Sequence, residues 1–256
     1  MIELTGLTPA AEEGWWTLFD LAEANSADWL LVGGQMMFLL AVEHDASLPR
    51  ATDDVDVVVN VRTMPAGTEW LSDWLLAHGF HQDRVSPDGI GHRIYRDAQP
   101  CPSRVVFDVL APEGLGERTA VFTKRPARTV QAPGSIQAFE RSEVVDVAVT
   151  GMLQRGRREG RVRRPNLLGA LVMKAATTTL AVRTNRPRDW QDAALLLSLL
   201  PDPIATAAEC GRKDHKRLGE LVALNDRAHL AWATLSDEDY QRGTAALSFL
   251  LDQRTR

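Results

Sequence analysis

The most constraining feature of the sequence is a glycine pair followed, one short segment later, by alternating acidic and apolar residues. Residues 31–35 read Leu-Val-Gly-Gly-Gln, and residues 50–59 read Arg-Ala-Thr-Asp-Asp-Val-Asp-Val-Val-Val. This order predicts a strand, a glycine turn, a helix and a second strand. Because side chains two apart on a strand share a face, Asp54 and Asp56 should converge. The sequence therefore predicts a carboxylate pair on one face of a sheet.

A carboxylate pair of this kind indicates phosphate chemistry. Carboxylates are oxygen ligands that suit Mg²⁺, and substrate phosphates commonly complete the coordination of that ion. Gly33 and Gly34 agree with this chemistry, because glycine allows close backbone approach and the following helix offers free amides to an anion. Taken alone, a Gly-Gly pair is most often only a turn. The order and separation of the two features favour the functional interpretation.

A third carboxylate is expected on a strand further along the chain. Residues 104–110 read Arg-Val-Val-Phe-Asp-Val-Leu, and Asp108 is the only acid in this strand-forming run. A charge in such a run is costly unless it is paired or binds a metal. The alternative is an ordinary acid near the end of a strand, which Ala111 and Pro112 would close. Beside Asp54 and Asp56, we favour a site residue.

These residues match the pattern of a known family. The arrangement of Gly33-Gly34, Asp54-x-Asp56 and Asp108 resembles the nucleotidyltransferase superfamily that includes DNA polymerase beta, and the flanking residues are similar to its AbiEii-type toxin branch. The likeness covers roughly residues 29–60, 104–112 and 167–197, and does not cover residues 198–256. The resemblance implies a mixed sheet with flanking helices, and a metal-dependent transfer of a nucleoside monophosphate from a triphosphate to an acceptor hydroxyl.

The resemblance also implies roles for individual residues. Asp54, Asp56 and Asp108 would hold two Mg²⁺ ions, which Mn²⁺ could replace, and Asp108 would help to deprotonate the attacking hydroxyl. Contacts with the triphosphate or the substrate are expected from residues around the turn, namely Gly33, Gly34, Gln35, Arg50 and Thr52. Arg50 and Thr52 could instead only brace the turn before the metal strand.

A lysine and two acids on later helices complete the family pattern. Lys174 lies in Leu-Val-Met-Lys-Ala-Ala, and Asp189 and Asp192 lie in Arg-Pro-Arg-Asp-Trp-Gln-Asp-Ala. By resemblance, Lys174 would neutralise charge on the triphosphate, and either Asp189 or Asp192 could orient Lys174 or a substrate hydroxyl. We favour Asp192 as the catalytic acid, because it enters the apolar run 193–200, and place Asp189 near the substrate. A lysine on an amphipathic helix commonly only snorkels to water, and Asp189 follows Pro187, where an acid complements a helix dipole. Both structural alternatives stay open.

The hydrophobic pattern indicates an α/β (α+β) core followed by helices. Residues 1–164 are expected to form the nucleotidyltransferase core, and residues 165–256 a C-terminal helical domain. Within the core, a hairpin of 144–149 and 161–164 would turn at Gly156 and Gly160. A helix is expected around 214–233.

Composition and charge limit the remaining possibilities. No apolar run is long enough to span a membrane and the N-terminus lacks signal-peptide features, so we expect a cytoplasmic protein that does not contact membranes. The two cysteines indicate neither a disulfide framework nor a zinc site. A formal charge of −5 argues against a generally basic surface, but residues 155–164 contain six arginines and one glutamate. This arginine run could contact RNA, or it could be a solvated hairpin.

Three functions follow as hypotheses. The first is an AbiEii-like toxin of a type IV toxin-antitoxin system, whose acceptor is the 3′ end of a tRNA or another RNA and whose partner is a cognate antitoxin. The second is a small-molecule nucleotidyltransferase, similar to those that modify aminoglycosides, against which the arginine run counts. The third is a nucleotide-binding or interaction module without catalysis.

Overall fold

The computed structural model of the chain describes residues 1–47, 52–98, 103–116, 121–151, 156–178 and 186–252. These residues form a mixed α/β fold, which confirms the expected fold class. They divide into two compact units: Met1–Ala132 with Ser142–Arg164, and Pro133–Arg141 with Pro165–Arg256. The sequence-based division differs from this one only in residues 133–141. Gly134 explains the difference, because a Cβ on it would lie 2.8 Å from Met173 Cα, so this segment packs directly on a helix of the second unit.

The first unit is built around one main sheet. Its elements are β1 (Ile2–Leu4), α1 (Pro9–Ala24), β2 (Trp29–Val32), α2 (Gly33–Glu43), β3 (Asp54–Val59), α3 (Gly67–Ala77), β4 (His81–Gln82), β5 (Arg93–Ala98), β6 (Ser103–Pro112), β7 (Phe122–Lys124), β8 (Ala127–Arg128), β9 (Gln131–Ala132), β10 (Ser142–Thr150) and β11 (Arg157–Pro165). The main sheet has the order β2-β3-β6-β5-β4, with β9 beside β6, while β1-β10-β11 and β7-β8 form smaller sheets. Strands β3 and β6 are parallel, whereas β2 with β3 and β5 with β6 are antiparallel.

Helix α1 covers one face of the main sheet. Thr8 caps the helix by accepting a hydrogen bond from the Ala11 amide at 3.1 Å, and Pro9 occupies its first turn. A Cβ on Gly14 would lie 2.9 Å from Val55 Cγ2 and 3.8 Å from Val105 Cγ1, so helix and sheet approach closely here. Because neighbouring strand residues point to opposite faces, Asp54 and Asp56, which flank Val55, lie on the other face of the sheet.

Strand β11 corrects one sequence-based prediction. Gly160 was expected to turn the chain, but it lies inside β11. A Cβ there would lie 2.2 Å from Phe19 Cδ1, so the glycine lets the strand approach α1. Gly156, with φ of +77°, precedes β11 and is in the left-handed region that glycine favours.

The second unit is helical. Its elements are α4 (Ser135–Glu140), α5 (Leu167–Thr178), α6 (Arg186–Leu199), α7 (Pro203–Glu209), α8 (Arg212–Leu218), two 3₁₀ segments (Gly219–Asn225 and Leu230–Thr234) and α9 (Asp237–Asp252). The continuous helix expected over 214–233 was wrong. Residues there with poor helix propensity, such as Gly219 and Asn225, explain the break into short segments. In the described parts of both units, no helix is long and apolar enough to cross a bilayer.

Candidate active site

Three acidic side chains share one face of the main sheet. In the parallel pair of β3 and β6, Asp56 lies directly opposite Asp108. Asp54 is two residues before Asp56 and therefore points to the same side. This face is opposite the one that α1 covers through Val55 and Val105. The structure thus brings together the three carboxylates that the sequence analysis expected to meet.

An arginine that sequence reasoning missed lies among these carboxylates. Arg93 on β5 is the register partner of Asp108 across the antiparallel β5–β6 pair. Its Nε donates to Asp108 Oδ1 and its Nη2 to Oδ2, each at 3.0 Å, and Nη2 also lies 3.7 Å from Asp54 Oδ2. Hydrogen bonding to Asp108 raises the pKa of Arg93 above its ordinary value. His92 Nε2 is 3.9 Å from Asp108 Oδ1.

The carboxylates differ in their exposure to solvent. The Asp108 side chain is only 11% exposed, whereas that of Asp54 is 47% exposed. Burial of a carboxylate is costly without a partner, and the two-pronged contact with Arg93 provides one for Asp108. The site therefore has a buried end, which the arginine holds, and an open end at Asp54.

The glycine pair fits closely around the acidic strand. Gly33 has φ of +63°, and a Cβ on it would lie 1.8 Å from Asp56 Oδ2. A Cβ on Gly34 would lie 2.7 Å from the Thr52 side chain. These two positions therefore require glycine for two reasons, backbone conformation at Gly33 and space at both. The N-cap residue of α2, Val32, makes no side-chain cap hydrogen bond, and a helix N-terminus is a place where backbone amides can bind an anion.

Gln35 and Thr52 brace this turn. The Gln35 side chain is fully buried, accepts a hydrogen bond from Trp15 Nε1 at 2.8 Å and donates one to the Thr52 carbonyl at 2.7 Å. We therefore expect Gln35 to hold the turn together, and not to contact a substrate. Arg50, the other residue expected near the triphosphate, lies outside the described residues.

The donor set suits a divalent cation. Three carboxylates supply the hard oxygen ligands that Mg²⁺ and Mn²⁺ prefer, and Gly33 leaves room for the Asp56 carboxylate at the place where a Cβ would otherwise lie. Within the described ranges, no group of three or more His, Cys, Asp and Glu side chains is arranged as a metal site. Both oxygens of Asp108 accept hydrogen bonds from Arg93 in this structure.

The other predicted site residues form a separate cluster in the second unit. Lys174 Nζ on α5 lies 2.6 Å from Asp192 Oδ2 and 3.6 Å from Asp189 Oδ1 on α6. All three side chains are buried. The sequence left open which acid contacts the lysine, and the structure places Asp192 closer. The buried lysine links α5 to α6, and its removal would leave two buried carboxylates without their cation.

The arginine run makes internal ion pairs instead of a free basic surface. Arg158 illustrates the pattern, because its guanidinium contacts Asp20 at 2.7 Å and Glu23 at 3.0 Å and lies over the Trp16 ring. In the described part of the run the other arginines also have partners: Arg157 with Glu3 and Glu159, Arg161 with Asp146, Arg163 with Ser142, and Arg164 with Glu43 and Glu143. The run therefore gives no separate support for RNA binding.

No protein-family description matches the sequence, and no curated protein matches it.

Proposed function

We propose that this protein is a divalent-metal-dependent nucleotidyltransferase of the DNA polymerase beta-like superfamily, in its AbiEii-type branch. The observation that carries the proposal is the pairing of Asp56 with Asp108 in the parallel β3–β6 ladder, with Asp54 on the same face. The uncapped α2 N-terminus and the close fit of Gly33 against Asp56 support it.

In this proposal, Asp54, Asp56 and Asp108 would hold the divalent cations. When bound, such cations neutralise charge on the triphosphate and on the leaving pyrophosphate. The acceptor hydroxyl oxygen would form a bond to the α-phosphorus while the bond between the α-phosphorus and the bridging oxygen breaks and pyrophosphate leaves. Asp108 would receive the hydroxyl proton, and the amides of Gly33 and Gly34 would orient the phosphates.

The acceptor could be an RNA or a small molecule, and one structural observation makes the small molecule a stronger candidate than the sequence did. The arginine run was the feature that favoured RNA over a small molecule. Because its described members other than Arg163 pair with acids of the same unit, that preference loses its basis. A small-molecule acceptor, such as an aminoglycoside-like amino alcohol, is therefore the second candidate beside a tRNA 3′ end. The roles of toxin and of a cognate antitoxin belong to the first candidate only.

The test is a label-transfer assay. Purified protein is incubated with Mg²⁺, each of the four ribonucleoside triphosphates labelled at the α-phosphate, and either total RNA or a panel of small hydroxyl acceptors. We expect labelled product with one acceptor class, and its loss in Asp56→Asn and Asp108→Asn. Asp97→Asn is the matched control, because this acid lies on the neighbouring strand β5, is 67% exposed and pairs with Arg104. It should retain full transfer.

The outcomes separate the hypotheses. Labelled RNA supports the toxin-like enzyme, and labelled small acceptors alone support the second candidate. Triphosphate binding without transfer to any acceptor, in Mg²⁺ and in Mn²⁺, would contradict the enzyme and favour a binding module. For the first candidate, induced expression should also slow host growth, and Asp56→Asn should relieve this effect.

A further inference from the structure

Arg93 occupies the position among the three carboxylates that a cation would be expected to take. Its side chain reaches from β5 over β6, where it contacts both oxygens of Asp108, and towards β3, where Nη2 lies 3.7 Å from Asp54 Oδ2. The guanidinium thus offsets one of the three negative charges. The guanidinium is positively charged, as a metal ion would be, and it contacts the Asp108 oxygens that a metal ion would use.

A cation that bound Asp56 and Asp108 together would need an oxygen that Arg93 now uses. Charge-assisted, two-pronged hydrogen bonds of this kind are among the stronger ones in proteins. The Asp108 side chain is only 11% exposed, so water gives little compensation when the contact breaks. Binding of a cation alone therefore works against the Arg93–Asp108 contact.

A polyphosphate changes this balance. The planar guanidinium fork fits phosphate oxygens as well as it fits a carboxylate. The Arg93 side chain is 43% exposed, so part of it faces solvent, from which a phosphate would approach. A bound triphosphate would accept the guanidinium, and Asp108 would become available to a cation.

We infer that Arg93 is an exchangeable counter-ion: it holds Asp108 in the resting protein, competes with a divalent cation, and transfers to a phosphate of the bound triphosphate. This inference rests on the proposed function, because it concerns the same carboxylates. It makes Arg93 a positioning residue for Asp108. It also makes binding of the metal and of the triphosphate cooperative, since each favours the release of Arg93 from Asp108.

The test uses two ligands, because the inference predicts effects of opposite sign. Mn²⁺ binding is measured from the electron paramagnetic resonance signal of free Mn²⁺, and inorganic triphosphate binding is measured by calorimetry in excess Mn²⁺. In Arg93→Met, we expect Mn²⁺ alone to bind about tenfold more tightly, and triphosphate to bind about tenfold more weakly. A purely structural role for Arg93 would weaken both.

Two controls accompany this variant. Arg104→Met removes an arginine from β6, the strand next to that of Arg93. Arg104 pairs with exposed Asp97, so this change should alter neither affinity. Asp56→Asn should abolish the Mn²⁺ binding. If Arg93→Met does not fold, Arg93→Gln replaces it, since glutamine retains a hydrogen-bond donor for Asp108 and carries no charge.

The possible results distinguish this inference from the proposed function. If Mn²⁺ binds in a manner that depends on Asp56 but no more tightly after loss of Arg93, the counter-ion role is overturned and the metal site stands. If Asp56→Asn leaves Mn²⁺ and triphosphate binding unchanged, the metal site itself is wrong and the role of Arg93 fails with it.

Discussion

Gly33 offers the sharpest test of the packing around Asp56, because the chain provides a matched control. Replacing Gly33 by alanine places a methyl group 1.8 Å from Asp56 Oδ2 and 2.5 Å from its Cγ, at a backbone φ of +63°. Gly6 has nearly the same backbone conformation, with φ of +66°, but a Cβ on it would meet nothing within 4 Å. Gly6→Ala therefore measures the backbone contribution without the steric one.

The magnitudes follow from these two environments. A left-handed conformation costs an alanine about 1 kcal/mol relative to glycine, so Gly6→Ala should lower the free energy of unfolding by about that amount. Gly33→Ala has the same cost and must also displace the Asp56 carboxylate, for which overpacking adds about 1–3 kcal/mol. We expect a total loss of about 2–4 kcal/mol, together with loss of Mn²⁺ binding at the displaced carboxylate.

The assay is urea unfolding of the wild type, both single variants, Asp56→Ala and the double variant Gly33→Ala with Asp56→Ala. Removing the carboxylate leaves only Asp56 Cβ, 2.8 Å from the new methyl group, so the double variant should be less destabilised than the two single changes together. Equal losses for Gly33→Ala and Gly6→Ala, with Mn²⁺ binding retained, would refute the contact between Gly33 and Asp56.

Three further predictions concern other parts of the chain. Lys174→Ala leaves buried carboxylates without their cation and should lower the free energy of unfolding by about 3–5 kcal/mol. Adding Asp192→Asn should restore part of this loss, and strict additivity of the two changes in urea unfolding would contradict the pairing. Gln35→Leu removes one buried and one partly buried hydrogen bond and should cost about 2–3 kcal/mol in the same assay. A loss below about 0.5 kcal/mol would argue against its bracing role. Burial raises the pKa of Cys210 to about 11, so iodoacetamide should alkylate it about tenfold more slowly at pH 8 than a solvated thiol, and faster as the pH rises towards 11. Peptide mass spectrometry measures this rate, and a rate equal to that of the solvated thiol would contradict the burial.

The acidic strands could be predicted from the sequence because their pattern is local. The alternation of acids and valines in residues 54–59 coincides with β3, and the apolar run 104–110 lies within β6. Period-two alternation places Asp54 and Asp56 on one face without knowledge of any partner strand. The capped start of α1 at Thr8 and Pro9 is equally local.

The position of Arg93 depends on strand register, which a single sequence does not reveal. Arg93 begins β5, and only the antiparallel pairing of β5 with β6 brings it opposite Asp108. A polar residue directly before Ile94 was the only local sign, and it is common at strand ends. The site was therefore predicted as a set of ligands, without the cation that already holds one of them.

Long-range pairing also explains why the arginine run was misleading. Its charge is evident from the sequence, but its partners come from distant segments, such as Glu3 for Arg157 and Asp20 for Arg158. Pairing of this kind depends on the place of β11 in the β1-β10-β11 sheet and on its packing against α1. RNA binding through this run stays a prediction that its described contacts do not support.

The most direct test of the central claim is a crystal structure with Mn²⁺ and a non-hydrolysable nucleoside triphosphate, with anomalous scattering used to locate the manganese. Our account predicts a manganese peak about 2.2 Å from carboxylate oxygens of Asp56 and Asp108, with Arg93 moved onto a phosphate. Manganese and triphosphate bound elsewhere, with Arg93 still contacting both oxygens of Asp108, would contradict it.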